Sequence, residues 1–522
     1  MDNYNSISLL EKGKKGILGL VFSRLGLIVL LMIVQIGIII GFFKNFRDYS
    51  QYYMVVNTVL SVCVFLNVLN SSHINPTAKI TWMFVIAVMP VFGAALYWYS
   101  KNDIGFNALK YQRSKIIKST INQIPQDKKT LDELSDEARD VAMLASYLGK
   151  TGCYPVYKNT SVKYFSSGEE KFARMLAELE KAEKFIFLEY FIIDEGVMWG
   201  KILNILARKA SQGLEVMVMY DGSNEFTTLP RDYCRKLAQL GIKAKVFAPA
   251  TPFVSTHYNY RDHRKILVID GKVAFTGGVN LADEYINAFE KYGHWKDAAV
   301  MLKGEGVKSF ALMFLQMWNI IGQQCEYTGY LDTTAPAEKS NGYVIPFADS
   351  PLDDERAGRQ VYMDIINRAD SYVYIMTPYL ILDGEMETAL KFAAARGVDV
   401  RIILPGIPDK KTPYALAKTH YKGLTAAGVK IYEYTPGFVH SKVFVSDDKK
   451  AVVGTINLDW RSLYHHFECA VYMYKTDCIP DIKQDFENTL RICSPVTAQS
   501  IKKEKLAVKL IGRVMKILAP LM

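Results

Sequence analysis

The sequence predicts an α/β protein built from two similar halves and preceded by an apolar region long enough to enter a membrane. The main observation is a pattern, H-x-K-x4-D, that occurs at residues 263–270 and again at residues 440–447. In both copies a glycine turn begins seven residues after the Asp and ends in Asn. One short pattern of this kind arises by chance, but two copies with the same downstream spacing indicate an internal duplication.

Length, charge and cysteine usage limit the class of protein. The 522 residues are too many for a single hydrophobic core, and the net charge of +10 favours an anionic partner. Such a partner is a nucleic acid, an anionic membrane surface or a phosphate-bearing substrate. The seven cysteines stand singly and form no C-x-x-C pair, which argues against a disulfide framework and against a structural zinc site.

The N-terminal region is predicted to anchor the chain in a membrane. Residues 25–43 carry no charge, are long enough to span a bilayer and do not resemble a signal peptide. Residues 52–69 and 80–99 are also uncharged, and the second stretch has aromatic residues near both ends and Pro90 inside it. A buried helix of a soluble protein is the alternative for residues 52–69. Basic residues flank both ends of the region, so the positive-inside bias leaves two or three spans open.

The rest of the chain is typical of a soluble α/β protein. Apolar runs at residues 184–194 and 372–383 each precede a helical segment, a glycine and a second strand-like run. This order predicts βαβ units and a mostly parallel sheet in each half. The predicted domains are a membrane anchor (1–105), a linker (106–160), a first half (161–335), a second half (336–493) and a tail (494–522).

The C-terminal tail is predicted to form a basic amphipathic helix. Within residues 501–518, six Lys and Arg residues populate one side and apolar residues fall on the other. Helices of this kind bind lipid surfaces. A helix packed on its own domain is the alternative.

The duplicated motifs place one His and one Lys on the same face of a strand, since residues i and i+2 share a face. His263 and Lys265 can therefore point at one ligand, as can His440 and Lys442. The glycine turns bring the amide side chains of Asn280 and Asn457 towards the same ligand. These two residues are candidates for binding phosphate. Two imidazoles, two amines and two amides suit one anion with several oxygens, a phosphodiester.

Acidic residues accompany both motifs in two positions. Asp270 and Asp447 lie where each motif strand should turn back. A structural role in the turn and a catalytic role are therefore both open for these two residues. Asp297 and Glu468 follow the Asn residues and are candidates to orient a catalytic imidazole, with plain surface acids as the alternative. The remaining histidines near the motifs are interpreted as packing or rim residues: His294, His465 and His466.

These residue types predict phosphoryl transfer without a metal or another cofactor. A neutral His can attack phosphorus while the other His, protonated, donates to the leaving alcohol. A metal site is not indicated, because the sequence has no H-E-x-x-H motif and no carboxylate cluster beside the histidines.

The doubled motif is the mark of the phospholipase D superfamily, and within it the chain resembles the bacterial cardiolipin synthases. The matching stretches are residues 82–97, 185–191, 259–265, 435–442 and 457–462. The resemblance implies two phospholipase D-like α/β/α halves with mixed sheets that form one shared active site, preceded by N-terminal transmembrane helices.

The resemblance also implies an activity, the condensation of two phosphatidylglycerol molecules into cardiolipin and glycerol through a phosphatidyl-histidine. It places the nucleophile and the acid on His263 and His440, with His263 favoured as the nucleophile, and it gives Asp270 and Asp447 the role of completing the catalytic motifs. The implied setting is a multi-pass protein of the bacterial cytoplasmic membrane, with phosphatidylglycerol and anionic lipid as partners and no nucleic acid. Two alternatives stay open: a hydrolase of the same superfamily that acts on phospholipid or nucleic acid, and a non-catalytic membrane scaffold.

Overall fold

A computed structural model of the chain describes residues 37, 40, 41, 50–72, 74–101, 104–249, 260–322, 324–332 and 339–521. The chain divides into two compact units. The larger unit comprises Met1–Leu10, Leu109–Ala250 and Tyr258–Lys516, and the smaller comprises Glu11–Ala108, Thr251–His257 and Ile517–Met522.

The helices of the described residues lie both before and within the two halves. They are α1 (Ser50–Asn70), α2 (Pro76–Val88), α3 (Pro90–Lys101), α4 (Ile104–Thr120), α5 (Lys128–Glu137), α6 (Arg139–Gly152), α7 (Gly168–Leu179), α8 (Val197–Ser211), α9 (Asn224–Thr227), α10 (Tyr233–Gln239), α11 (Val307–Ile320), α12 (Thr328–Leu331), α13 (Ala357–Arg368), α14 (Gly384–Ala395), α15 (Lys411–Ala426), α16 (Trp460–Tyr464), α17 (Ile479–Arg491), α18 (Ala498–Lys503) and α19 (Leu506–Leu518). Short 3₁₀ helices occupy Asp283–Ile286 and Ala519–Leu521.

The strands all belong to the larger unit. They are β1 (Thr160–Phe165), β2 (Phe185–Tyr190), β3 (Glu215–Asp221), β4 (Lys243–Phe247), β5 (Arg261–Asp262), β6 (Lys265–Ile269), β7 (Val273–Gly277), β8 (His294–Lys296), β9 (Ala299–Gly304), β10 (Tyr343–Asp349), β11 (Tyr372–Met376), β12 (Asp399–Pro405), β13 (Lys430–Tyr434), β14 (Gly437–Val439), β15 (Val443–Ser446), β16 (Lys450–Gly454), β17 (His466–Tyr474) and β18 (Cys493–Pro495).

Among the described residues of the smaller unit, helices α1 to α3 pack around the buried side chains of Val68, Ile86 and Tyr97. Pro90 has no N–H and cannot continue a helix through its own position, so residues 80–99 form parts of two helices of 13 and 12 residues. The stretch is therefore divided at Pro90 and is not one continuous helix. Among the described residues, no helix combines the length and the apolar character needed to cross a membrane. The predicted span at residues 25–43 lies outside the described residues except for Gly37, Ile40 and Gly41.

The segment predicted as a linker, residues 106–160, is helical over most of its length. Asp127 caps α5 by accepting hydrogen bonds from the backbone N–H groups of Lys129 and Thr130. Leu134 of α5 and Leu148 of α6 are fully buried. These packed helices were not predicted from the sequence.

The two halves repeat one sheet topology. The first sheet has the order β1-β9-β7-β6-β2-β3-β4, and the second has the order β10-β17-β16-β15-β11-β12-β13, extended by β18. In each half the three strands of the βαβ units are parallel, and the strands from the motif onwards are antiparallel. The architecture of two α/β halves with mixed sheets is confirmed, whereas the mostly parallel sheet expected from the strand–helix alternation is wrong.

The antiparallel arrangement follows from a tight turn after each motif strand. Asp270 and Gly271 have φ of 55° and 65°, and Asp447 and Asp448 both have φ of 56°. Two consecutive residues with positive φ form the type of hairpin turn that matches the twist of paired strands. Each motif strand therefore folds back onto its neighbour instead of continuing into a crossover helix.

Candidate active site

The two motif histidines are placed by strand pairing between the halves. The short strand β5 pairs in parallel with the start of β17, and the N–H of His263 donates to the carbonyl of Phe467 over 2.9 Å. In the same way β14 pairs in parallel with β8, and the N–H of His440 donates to the carbonyl of Lys296 over 2.7 Å. The backbone of each motif histidine is thus held by the opposite half.

The carboxylates that face these histidines are also crossed between the halves. Nδ1 of His263 lies 2.9 Å from both carboxylate oxygens of Glu468. Nδ1 of His440 lies 2.7 Å from Oδ2 of Asp297. All four side chains are buried. The two acids predicted as candidates to orient imidazoles are in position to fix the ring tautomers, and they leave Nε2 of each ring for chemistry.

The two pairs differ in their electrostatics. Burial alone would raise the pKa of Asp297, but the charge of His440 and its hydrogen bond hold that pKa below its usual value. Burial lowers the pKa of His440 to about 4, whereas the charge of Asp297 and its hydrogen bond act in the opposite direction. Burial also lowers the pKa of His263, and it raises the pKa of Glu468 well above its usual value. The two pairs therefore differ in the direction in which the pKa of the carboxyl group is shifted.

The two motif lysines lie beside the histidines and are also buried. Nζ of Lys265 donates to the carbonyl of His263 over 2.6 Å, and Nζ of Lys442 donates to the carbonyl of His440. Burial lowers the pKa of Lys265 to about 8 and that of Lys442 to about 7. Poorly hydrated ammonium groups of this kind stabilise a bound phosphate more strongly than exposed ones do.

The glycine turns support the two carboxylates from behind. A Cβ at Gly278 would lie 2.0 Å from Oδ1 of Asp297, so no larger residue fits there without moving the carboxylate. The equivalent residue of the second half is Thr455, whose hydroxyl donates to Glu468. Gly278 leaves room for the carboxylate of Asp297, and Thr455 donates a hydrogen bond to the carboxylate of Glu468.

The two asparagines predicted to bind phosphate already contact protein groups. Asn280 accepts from a backbone N–H over 3.1 Å and donates to the hydroxyl of Tyr285 over 2.7 Å. The ring of Tyr285 lies 5.3 Å from that of His440. Asn457 donates to Asp459 over 3.1 Å. The geometry gives Asn280 a supporting role beside His440, and phosphate binding by these two amides stays a prediction.

The structure places the motif aspartates away from this centre. The carboxylate of Asp270 accepts hydrogen bonds of 2.7–2.9 Å from three consecutive backbone N–H groups, those of Glu183, Lys184 and Phe185. Asp447 binds three equivalent groups over 2.8–3.0 Å, those of Asp370, Ser371 and Tyr372. Each Asp stands at the far end of its strand, about 16 Å along the chain from the motif Lys. This position does not fit the predicted catalytic role; both residues fix the start of the neighbouring strand.

Sequence reasoning missed the residues that pack on the imidazoles. Trp295 and His466 each stand two residues before a carboxylate of the site, and the ring of each lies 5.3 Å from the histidine that this carboxylate binds. Their strand position carried the signal, because residues i and i+2 share a face. His466, interpreted from sequence as a packing or rim residue, is buried against His263, whereas His294 is exposed.

Comparison with known proteins agrees with this geometry. The sequence matches the family described as "Cardiolipin synthase, PLD-like domain" over residues 175–318 and 362–490, and "Phospholipase_D-nuclease N-terminal" over residues 58–100. It is 32% identical to a cardiolipin synthase of Geobacillus thermodenitrificans over 512 residues, which is 95% of this chain and 99% of that protein. The chain belongs to the phospholipase D-like cardiolipin synthase family. The predicted family and the predicted class of enzyme, a phosphatidyltransferase, are thereby confirmed.

Two further likenesses place this cardiolipin synthase family member among its relatives. An uncharacterized protein of Streptococcus mutans is 58% identical over 452 residues, 87% of this chain and 98% of that protein. The crystal structure of the phosphatidylserine synthase of Haemophilus influenzae aligns with a TM-score of 0.54 at 15% identity and covers 69% of this chain and 93% of that one. At that identity the second likeness concerns the fold.

Asp270→Ala should destabilise the protein without removing its chemistry. Three backbone donors would lose a charged acceptor, and we expect the free energy of unfolding to fall by about 2–5 kcal/mol. Urea denaturation measures the loss, and turnover of the folded fraction should persist. Asp232→Ala is the matched control, because this exposed Asp precedes a helix without capping it. Loss of turnover at unchanged stability would return Asp270 to the catalytic machinery.

The pH dependence of kcat/KM should follow the two buried lysines. The ammonium form that binds phosphate is present below the pKa of each Lys and is lost above it, so kcat/KM should decline as pH rises through about 7 to 8. Beyond both pKa values each further pH unit removes about nine-tenths of the remaining charged form. Initial rates on a phosphatidylglycerol substrate from pH 6 to pH 10 test this. A flat profile across that interval would show that neither Lys binds the phosphate as an ammonium.

Proposed function

We propose that the protein is a cardiolipin synthase that transfers the phosphatidyl group of one phosphatidylglycerol to a hydroxyl of a second, with release of glycerol. The observation that carries the proposal is the crossed pairing of two buried imidazoles with two buried carboxylates beside two lysines. This arrangement supplies one nucleophile, one proton carrier and two cations for a single phosphodiester. Transfer between two alcohols through an enzyme-bound phosphate needs these groups and no others.

In the first step Nε2 of one motif histidine attacks phosphorus and the bond to the glycerol oxygen breaks. The other histidine, protonated on Nε2, gives its proton to that oxygen, so glycerol leaves as a neutral alcohol. In the second step the same histidine takes the proton of the acceptor hydroxyl, which attacks phosphorus as the bond to the first histidine breaks. The family resemblance favours His263 as the nucleophile and His440 as the proton carrier.

The two motif lysines stabilise the negative charge that develops on the phosphate during the reaction. In the phosphoryl transition state negative charge spreads over the non-bridging oxygens, and Lys265 and Lys442, each beside a motif histidine, would stabilise it. Their present acceptors are the carbonyls of His263 and His440. A phosphate oxygen is a stronger acceptor than a neutral carbonyl. Binding of the phosphodiester would therefore redirect both ammonium groups.

A phospholipid hydrolase is the second candidate, because the same residues serve it when water resolves the phosphatidyl-histidine. The buried centre favours transfer, since an acceptor held in line has an effective concentration of about 10⁵ M or more against about 55 M for water. The membrane features favour lipid over nucleic acid as the substrate.

We also propose that the protein resides in the cell membrane, with the predicted multi-pass topology of residues 25–43 and the following helices. Helices α1 to α3 of the smaller unit expose many large apolar side chains, including Val56, Ile80 and Trp98. In the tail, α19 exposes a row of apolar side chains, those of Leu506, Leu510, Val514 and Ile517. Basic residues flank this row. Exposed apolar rows beside lysines and arginines suit an anionic lipid surface.

The decisive assay gives purified full-length protein phosphatidylglycerol in detergent micelles and resolves the products by mass spectrometry. We expect cardiolipin and glycerol as the main products, phosphatidic acid as a minor one, and reversal when glycerol is abundant, since one phosphodiester is exchanged for another. His263→Ala and His440→Ala should each reduce turnover by at least about 10²-fold, because each removes one part of the proton transfer.

Two results would contradict this proposal. Phosphatidic acid as the chief product at low glycerol would make the protein a hydrolase. Substantial turnover in either alanine variant would reject a centre shared by both motifs. His294→Ala is the matched control and should leave turnover unchanged, because that exposed His lies outside the pairs.

Removing the exposed apolar row of α19 should weaken binding to lipid. Leu506→Ser, Leu510→Ser and Val514→Ser in one variant remove apolar area worth about 1 kcal/mol or more per side chain in contact with lipid. We expect weaker co-sedimentation with phosphatidylglycerol liposomes and unchanged turnover in detergent micelles. Phe392→Ser is the control, since Phe392 is exposed on a different helix. Equal sedimentation of the two variants would mean that α19 does not contact the bilayer.

A further inference from the structure

Three buried side chains beside the catalytic centre form a set of metal-ligand type. One ligand atom each from His263, His466 and Glu468 lies within 4.8 Å of the other two. Within the described part of the chain this is the one group of three His, Cys, Asp or Glu residues with such spacing. Two imidazoles and one carboxylate are the ligand set of many zinc sites that keep a fourth position open.

His466 is the member of this set that the reaction leaves unexplained. Its side chain is 8% exposed. Nδ1 lies 3.5 Å from Oε1 of Glu468, and neither ring nitrogen makes a hydrogen bond to any described residue. Buried polar groups in native proteins almost always have partners, so an imidazole with two unpaired nitrogens indicates a missing ligand.

The other half of the molecule shows that the set is not a by-product of the duplication. The position equivalent to His466 is occupied by Trp295, which packs on His440 at the same 5.3 Å between ring centres. Trp has no metal-binding atom. Around His440 only His440 and Asp297 are therefore available as ligands, and the triad forms only around His263.

We propose that His466, His263 and Glu468 bind a zinc-type transition-metal ion and that this ion inhibits the enzyme. Zinc bound to Nδ1 of neutral His263 would leave Nε2 as the position for the single ring proton, which moves there from Nδ1. Nε2 then carries an N–H and no longer has a lone pair. A histidine in this state neither attacks phosphorus nor accepts a proton from an alcohol, so catalysis stops in whichever role His263 serves.

The surroundings set the affinity of this site and its selectivity. Zinc bonds to nitrogen and oxygen are about 2.0–2.2 Å long, so the three side chains must rotate slightly towards one another. The hydroxyl of Thr455 donates to Glu468 and holds that carboxylate in place. Lys265 and Lys442 oppose a cation, which keeps the site from binding zinc permanently. Magnesium, which prefers six oxygen ligands, does not suit two imidazoles.

The test uses two independent measurements on the full-length protein in detergent. In the first, cobalt(II) replaces zinc as a probe, and a tetrahedral site gives visible d–d absorption that zinc then removes. In the second, cardiolipin formation is followed with added zinc, with magnesium, and with EDTA. Wild-type protein should show the cobalt bands and should lose at least about tenfold in rate with micromolar zinc. Magnesium should not inhibit, and EDTA should restore the rate.

His466→Asn removes one ligand and keeps a polar side chain of smaller size. This variant should turn over without added metal, lose the cobalt bands and need at least about tenfold more zinc for the same inhibition. His294→Asn, a histidine outside the triad, should behave as wild type. X-ray absorption of zinc-loaded wild-type protein needs no variant, and it should report two imidazoles and one carboxylate.

The inhibition arm rests on the proposed function, and the cobalt and X-ray arms do not. If wild-type protein makes no cardiolipin in EDTA, the proposed function fails whatever cobalt shows. If cobalt bands are absent from wild type, or persist unchanged in His466→Asn, the metal site is overturned while cardiolipin synthesis stands.

Discussion

The crossed pairing of imidazole and carboxylate between the halves is the constraint on which the site depends. His263 binds Glu468 and His440 binds Asp297, so neither half contains a complete pair. Removing one partner of a buried charged pair leaves an uncompensated group and costs about 3–5 kcal/mol. The halves must therefore dock in one register, which the short pairings β5–β17 and β8–β14 define. The site is complete only when both halves are folded and docked.

That register explains several residues that take no part in the chemistry. Gly278 is small because the Asp297 carboxylate occupies the space of its side chain. Lys171 is fully buried under the same turn, where Nζ donates to the carbonyl of Val279 and to the hydroxyl of Tyr190, each over 3.2 Å. Burial lowers the pKa of Lys171 to about 7. Burial disfavours the charged form of the Lys171 amine. Its presence there indicates that its hydrogen bonds are needed to keep the backbone of this turn fixed behind the Asp297 carboxylate.

The sequence predicted what is local and missed what depends on long-range pairing. The i, i+2 spacing was enough to place His263 and Lys265 together, and the repeated motif was enough to predict two halves. The turns after Asp270 and Asp447 were predicted, but the antiparallel sheet that they create was not, because strand–helix alternation favoured parallel strands. The crossing of Glu468 and Asp297 to the opposite half joins residues 205 and 143 positions apart, and no spacing within one half encodes it. The role of the motif aspartates was open from sequence, and the hydrogen bonds of Asp270 to three consecutive N–H groups favour the structural role.

A duplicated site serves an asymmetric step when one imidazole attacks while the other carries a proton. Two neighbouring imidazoles reach these different states because a proton on one disfavours a proton on the other. The carboxylates beside the rings and the residues that contact these carboxylates also differ between the halves: Asp297 and Gly278 in one, Glu468 and Thr455 in the other. Burial raises the pKa of Glu468, whereas the charge of His440 and its hydrogen bond outweigh the effect of burial on Asp297 and hold its pKa low. The backbone pairing that positions the two histidines is the same on both sides of the site, since His263 and His440 each donate to a carbonyl of the opposite half.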